Sequence, residues 1–378
     1  MAKLGEICKV SPSTKNIERQ GAWLLNLDMV EQQTGRVIEY KYVGEDDLNG
    51  SIIQFDTENV LYSKLRPNLN KVVLPQKDGF STSELLPLRP DARVLNRDYL
   101  AVFLRSDSFV TWAVSKTAGA KMPRLGTKDL MSAEIPVPTI EQQKKIAEKF
   151  KKLEQLISLR NQQLAKLDEL VKARFVEMFG DPVTNPKGYE KYKLENLARK
   201  ISDGVHSKPD YTETGRPFLS VVNINKGVIN FKNCKYVSED AYQKMIKSTH
   251  PERGDVLYTK VGATYGIPAY VDTDIAFCLY VSVCLIKPKR EVINPRFLSL
   301  SMEMPYVKHQ ADRRIKGIGV PDLHLNQISE FEILCPPLKE QDIFIYFVER
   351  LDGEKRVVQQ SLEKLELMKK ALMQEYFG

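Results

Sequence analysis

An internal duplication constrains this chain more than any other feature of its sequence. Residues 138–180 align with residues 336–378 at a constant offset of 198 without a gap, and twelve of the 43 positions are identical. Pro138, Gln143, Leu153, Gln162, Leu164, Lys166, Leu167, Lys172, Ala173, Glu177, Phe179 and Gly180 each meet their own kind, and both copies close with Glu-x-Phe-Gly. The match reaches further back. Asn59-Val-Leu-Tyr-Ser-Lys-Leu65 lies over Asp255-Val-Leu-Tyr-Thr-Lys-Val261 at offset 196, residues 96–100 over 294–298 at 198, and Lys3-Leu4 over Lys193-Leu194 at 190. A period this long is no solenoid repeat. Each half therefore reads as a variable region followed by a helical one: 1–140 and 141–180, then 181–335 and 336–378. A chain of 378 residues also exceeds one ordinary core, which agrees with two domains.

The helical regions carry a coiled-coil seam. Ile146, Phe150, Leu153, Ile157, Leu164, Leu167, Val171 and Met178 fall on a 4-3 spacing, interrupted by Arg160 and Arg174. Phe344, Val348, Leu351, Val358, Leu362, Leu365, Leu372 and Tyr376 repeat it, interrupted by Lys355 and Lys369. Neither stretch contains proline. A helix of about 38 residues is about 57 Å long and must pack, and its obvious partner is its duplicate. Apolar residues also lie off the seam: Leu156, Leu159, Leu170 and Phe175 on the first helix, and Ile343, Ile345 and Phe347 in a run apolar throughout on the second. Something further covers them, either the variable domains or another subunit.

The variable regions read as mixed α/β. Short β-rich runs such as Lys71-Val-Val-Leu-Pro75, Pro217-Phe-Leu-Ser-Val-Val222 and Val281-Ser-Val-Cys-Leu-Ile286 alternate with turn residues. One helix is expected over 97–114 and its counterpart over 295–310. The polar constellations fall in loops. The run 62–71 carries Lys64, Arg66, Asn68, Asn70 and Lys71, and its counterpart 258–266 carries Lys260, Thr264 and Tyr265 among glycines. His206 and Lys208 lie in Asp203-Gly-Val-His-Ser-Lys-Pro-Asp-Tyr211. Lys121 and Arg124, and then Arg313, Arg314 and Lys316, lie at matching points before the long helices. Arg and Lys read guanine edges or hold phosphates, Asn pairs with adenine edges, and glycine lets backbone approach a phosphate. Each loop alone is an ordinary solvated loop; repetition at matching places in both halves favours DNA contact.

Several function classes find no support. There is no phosphate-binding G-x-x-x-x-G-K-[ST], no G-x-G-x-x-G and no G-x-S-x-G. Nothing resembles the Asn-Pro-Pro-aromatic run of an adenine methyltransferase. The nearest approach to a nuclease cluster, Asp322 with Glu330 and Glu332, lacks a lysine and reads as turn and strand-edge chemistry. The five cysteines form no C-x-x-C pair and the four histidines are scattered, so neither a metal nor another cofactor is expected on this chain. No apolar run approaches the roughly 20 residues that span a bilayer, and a cytoplasmic protein is expected. The formal charge of +7 divides as +1, +3, +4 and −1 over the four segments, so a polyanion would be met by local patches.

Two variable domains, two helical regions, helix starts at Pro-Thr-Ile-Glu-Gln-Gln143 and Pro-Pro-Leu-Lys-Glu-Gln341, and Phe-Gly helix exits resemble the specificity subunits of type I restriction–modification systems. Ser63-Lys-Leu-Arg-Pro67, Asp203-Gly-Val-His206 and Gly262-Ala-Thr-Tyr-Gly266 look like framework motifs of that family's target recognition domains. The resemblance covers essentially the whole chain. It implies an α+β protein, with two mixed α/β recognition domains in pseudo-two-fold repeat separated by two long antiparallel coiled-coil helices. It implies that each domain reads one half of a split, asymmetric site in double-stranded DNA. It also implies two methyltransferase subunits docked on the chain, through the off-seam apolar residues, and two restriction/motor subunits for cleavage. S-adenosylmethionine, ATP and magnesium would belong to those partners, and the chain itself would be non-catalytic. The alternative is a coiled-coil scaffold that holds protein partners; a nuclease or methyltransferase with an unrecognised centre is a third reading.

Overall fold

The computed structural model describes residues 1–378 except 16, 45, 47, 49, 50, 120, 226 and 316–318. Two long helices, Ile140–Phe179 and Leu338–Phe377, bind it together. The chain forms two compact units. Unit 1 comprises Met1–Gln162 and Val358–Gly378, and unit 2 comprises Gln163–Val357, so each unit holds one variable region with a part of both long helices.

The same sheet is built twice. In unit 1 its strands run, side by side, Cys8–Val10, Leu85–Pro90, Val60–Ser63 and Val72–Val73, all antiparallel. In unit 2 the order is Ala198–Asp203, Val283–Pro288, Val256–Thr259 and Pro268–Tyr270. Of these strands the sequence match pairs Val60–Ser63 with Val256–Thr259; the other strands take equivalent places in the two sheets. The motif strand is buried on both faces, which is why it reads as a continuous apolar run rather than an alternation. Val60 and Tyr62 face the core under the helices, while Leu61 faces a second core with Trp23 and Phe55. Val256 and Tyr258, against Leu257, divide the same way in unit 2. A further sheet sits beside each: Lys41–Val43, Ala22–Leu25, Gly79–Thr82 and Ile52–Phe55 in unit 1, and Lys235–Val237, Arg216–Leu219 and Cys278–Leu279 in unit 2.

Where one helix is expected over 97–114, there are two, Arg97–Leu104 and Asp107–Ser115. Ser106 breaks the run by capping the second, its Oγ accepting from Phe109 N at 3.3 Å. The counterpart divides into Pro295–Glu303 and Pro305–Arg314, because Pro305 lacks the N–H that a continuous helix needs. Arg313 and Arg314 thus close a helix rather than lie in a loop.

The long helices pack antiparallel within each unit. In unit 1 Lys369 meets Glu154 at 2.9 Å and Arg160 Nε donates to Ser361 Oγ at 3.2 Å. In unit 2 Lys355 meets Asp168 at 2.6 Å. Three of the four charges that interrupt the seam are therefore answered by the facing helix, while Arg174 pairs with Glu177 on its own helix at 2.8 Å. Each helix start is tied to its own domain by a fully buried glutamine. Gln143 Oε1 accepts from Asn96 N at 2.8 Å, and its Nε2 donates to the carbonyls of Val94 and Pro138 at 2.9 and 2.8 Å. Gln341 does the same with Asn294 N at 2.8 Å, Val292 at 3.4 Å and Pro336 at 2.7 Å. Aromatic rings fill the junctions: Phe150, Tyr99, Phe103 and Phe377 in unit 1, and Phe175, Phe179, Phe297 and Phe344 in unit 2.

Candidate nucleic-acid interface

The loop after the motif strand is seated identically in both units. In unit 1 Lys64 N donates to Glu84 O, Leu125 N donates to Lys64 O, and Arg66 N donates to Pro123 O at 2.8 Å. In unit 2 Lys260 N donates to Ser282 O, Leu323 N donates to Lys260 O, and Gly262 N donates to Pro321 O at 2.9 Å. The bridges Leu65–Arg124 and Val261–Asp322 complete the seat. Both loops then turn through left-handed backbone, at Arg66 with φ +49° and at Gly262 with φ +86°. An arginine in that region carries strain of about 1–2 kcal/mol that glycine avoids. The seat brings the run 62–71 against the hairpin that holds Lys121 and Arg124, two constellations that lie far apart in sequence.

The side chains divide into outward and inward sets. In unit 1 Arg66, Asn68, Lys121 and Arg124 are exposed and Lys64 is half-buried. Arg124 Nη2 pairs with Glu84 at 2.9 Å. Asn68 is steadied through its carbonyl, which accepts from Gln33 Nε2 at 3.1 Å. Two expected contact residues turn inward instead. Asn70 is buried in left-handed backbone and its Nδ2 donates to Arg105 O at 3.1 Å, so it closes the turn. Lys71 reaches back to Leu27 O, and burial lowers its amino pKa against the pull of Asp28.

In unit 2 His206 is 77% exposed and lies 3.8 Å from Asp203. Lys208 is exposed, with its amino group 5.7 Å from the Tyr211 ring. Lys260, expected at the surface, is only 5% exposed; it lies 3.3 Å from Asp203 and 3.8 Å from Asp322. Burial pushes the Asp203 carboxyl up, opposed by Lys260 and His206. Lys260 therefore fastens the Asp-Gly-Val-His turn to the loop seat. Thr264 is exposed, while Tyr265 donates to Asp312 Oδ1 at 2.6 Å beneath Lys308, whose amino group lies 3.4 Å from the ring centroid. Hydrogen bonds from Lys308 and Tyr265 hold the Asp312 carboxyl below its usual range. Arg313 is exposed. Arg314 folds back, donating to Gln310 O at 3.0 Å and lying over the Phe331 ring. Lys316 lies outside the described residues. Sequence reasoning missed Gln33, for which nothing signals, and Lys308, whose only signal is its i,i+4 spacing to Asp312.

The off-seam apolar set also divides. Leu156, Leu159, Leu170 and Ile343 are exposed and Phe347 is half-buried. Phe175 and Ile345, by contrast, belong to the core of unit 2, because the aromatic junction with Phe297 and Phe344 closes over that stretch. They present nothing to a second subunit. Tyr346, Val357, Leu367 and Met368 are exposed as well.

Among the described residues, no group of three or more His, Cys, Asp or Glu side chains could hold a metal ion, and no helix is long and apolar enough to cross a membrane. The five cysteines are unpaired thiols, with burial pushing Cys8 and Cys278 up to about 12.

Comparison with known proteins agrees with this architecture. The specificity subunit of the type I restriction enzyme MjaVIII of Methanocaldococcus jannaschii is 24% identical over 327 residues, covering 81% of this chain and 75% of the relative. The S subunit of a type I restriction–modification system from M. genitalium superposes with a TM-score of 0.59 at 14% identity, over 100% of this chain and 95% of that one. A chain from a structure of type I R-M complex assembly and conformational transition gives 0.58 at 17% identity, over 100% and 96%. The model of the type I restriction modification DNA specificity domain matches twice, at residues 2–169 and 186–367. Two matches over nearly the whole length, one in each half of the duplication, show that this chain belongs to the family of type I restriction–modification specificity subunits.

Proposed function

We propose that the chain reads a split, asymmetric site in double-stranded DNA, one half-site per unit, and carries no catalytic centre of its own. The observation that carries this reading is the repeated loop seat. One backbone arrangement presents Lys64, Arg66 and Asn68 in unit 1 and Gly262, Thr264 and Tyr265 in unit 2. A common frame with different side chains is what two readers of different half-sites require. The outward set of contacts is Lys64, Arg66, Asn68, Lys121 and Arg124 in unit 1, and His206, Lys208, Thr264, Tyr265 and Arg313 in unit 2. Arg and Lys would hold phosphates or guanine edges, and Asn68 an adenine edge.

In this reading two methyltransferase subunits dock on the exposed apolar residues of the long helices, among them Leu156, Leu159, Leu170 and Ile343, and two restriction/motor subunits join for cleavage. S-adenosylmethionine, ATP and magnesium are held by those partners. The long helices set the spacing of the half-sites. The test is an exchange of residues 1–135 for those of another family member, followed by sequencing of the methylated site. One half-site changes and the other persists; a change in both refutes the two-reader arrangement.

A further inference from the structure

The segment that meets each loop seat carries an exposed apolar residue in front of a proline. In unit 1 Ala118 and Arg124 exchange both backbone hydrogen bonds, at 3.1 and 3.0 Å, and Met122-Pro123 lies in the turn that they close. Pro123 O accepts from Arg66 N, so Met122 stands one position from the bond that seats the loop. In unit 2 Pro321 O accepts from Gly262 N, and Val320 precedes it. Met122 is 50% exposed and Val320 74%.

Single apolar residues on a surface are ordinary. What sets these two apart is what the duplication keeps. At the offset of 198, Lys121 lies over Gly319 and Arg124 over Asp322, so the flanking charges are lost or reversed. The apolar residue and its proline persist between them: Met122-Pro123 lies over Val320-Pro321. Proline keeps the residue before it out of helical backbone, so each apolar side chain is held out from an extended, pre-ordered stretch. Cations hold phosphates, and exposed Arg66 and Lys121 in unit 1 and Arg313 in unit 2 supply them. An apolar side chain gains nothing from a phosphate. On the base edges in the major groove, the apolar feature that it can meet is the methyl group of thymine.

We infer that Met122 and Val320 are thymine readers, each pressing its side chain against the methyl group of one thymine in the half-site of its own unit. The inference rests on the half-site reading proposed above and adds to it the chemical feature that is read. A wedge driven between base pairs is the poorer assignment, because valine is shorter than the side chains that open base steps.

The test replaces each thymine of the two half-sites in turn by deoxyuridine, which removes the methyl group alone. Binding of the full chain with its methyltransferase subunits is followed by fluorescence anisotropy at one fixed salt concentration. The parent loses about three- to fivefold in affinity at one thymine of each half-site, the worth of burying one methyl group. Met122→Ser erases that loss in one half-site and Val320→Ser erases it in the other, with melting temperatures unchanged because both positions are exposed. Indifference of the parent to every uracil overturns the inference. So do serine variants that keep the discrimination, that act on the same half-site, or that weaken binding to thymine and uracil DNA alike. Tighter or looser methyltransferase binding with thymine discrimination intact assigns the side chain to a protein contact and overturns it as well. DNA with one half-site scrambled is measured first. Unchanged affinity for it removes the half-site reading and this inference together, whereas specific binding without uracil sensitivity removes the inference alone.

Discussion

Replacing Arg66 by glycine sets backbone strain against recognition. Arg66 adopts φ +49°, a left-handed conformation that costs a side-chain-bearing residue about 1–2 kcal/mol. Glycine adopts it freely but gives up about 0.5–1 kcal/mol of unfolded-chain entropy. The difference leaves Arg66→Gly more stable by about 0.5–1 kcal/mol than both the parent and Arg66→Ala, which keep the strain. Unit 2 shows that the seat accepts this change, since Gly262 makes the same backbone bond, to Pro321 O, at the equivalent point. The guanidinium, meanwhile, makes no side-chain bond that holds it to its own unit among the described residues. Its loss falls on DNA binding, by about 1–3 kcal/mol if it meets a base edge. Thermal unfolding and fluorescence anisotropy on DNA carrying the methylated site measure both quantities on one set of variants. The two glycine effects have opposite sign: higher melting, weaker binding. A glycine variant that melts lower than Arg66→Ala refutes the strain argument, and one that binds like the parent removes Arg66 from the interface.

Three further perturbations follow from the same geometry. Gln143→Ala or Gln341→Ala leaves a buried N–H and two carbonyls without partners and costs about 1–3 kcal/mol of stability, measurable by urea unfolding. Lys260→Met strands the buried Asp203 carboxylate and costs about 3–5 kcal/mol, whereas Lys64→Met, at the equivalent position without a side-chain ion pair among the described residues, stays within about 0.5 kcal/mol; comparable losses in both would refute the division into inward and outward lysines. Inserting seven residues after both Gln162 and Gln360 keeps the seam and adds about 10.5 Å of helix, so the spacer of the methylated site lengthens by about two to three base pairs; an active complex with an unchanged spacer shows that the helices do not set the distance.

The repeat made the architecture legible in the sequence. Matching offsets located both long helices and, in each half, one strand of the sheet and the start of a domain helix, because duplicated framework keeps its register; the remaining strands carry no such match. The break of each domain helix was less legible. Ser106 and Pro305 are plain signals in themselves, but the apolar pattern runs on across them. The interface was legible only as loops. Lys64 and Lys260 occupy the same place in the same motif, yet one is half-buried and the other is buried, because Asp203 and Asp322 come from distant segments to meet Lys260. Asn70 and Lys71 likewise turn inward toward Arg105 and Leu27, carbonyls that no local spacing reveals. Residue chemistry found the loops, and tertiary packing decided which side chains point out of them.

The central claim is that this chain, and nothing else in its complex, chooses the DNA sequence. Methylome sequencing of cells carrying the chain with its methyltransferase and restriction subunits tests it most directly. The expected result is a single bipartite adenine-methylation motif, two specified halves around an unspecified spacer, that vanishes when this gene is deleted and returns with it. A motif that persists after the deletion, or a continuous one with no spacer, contradicts it.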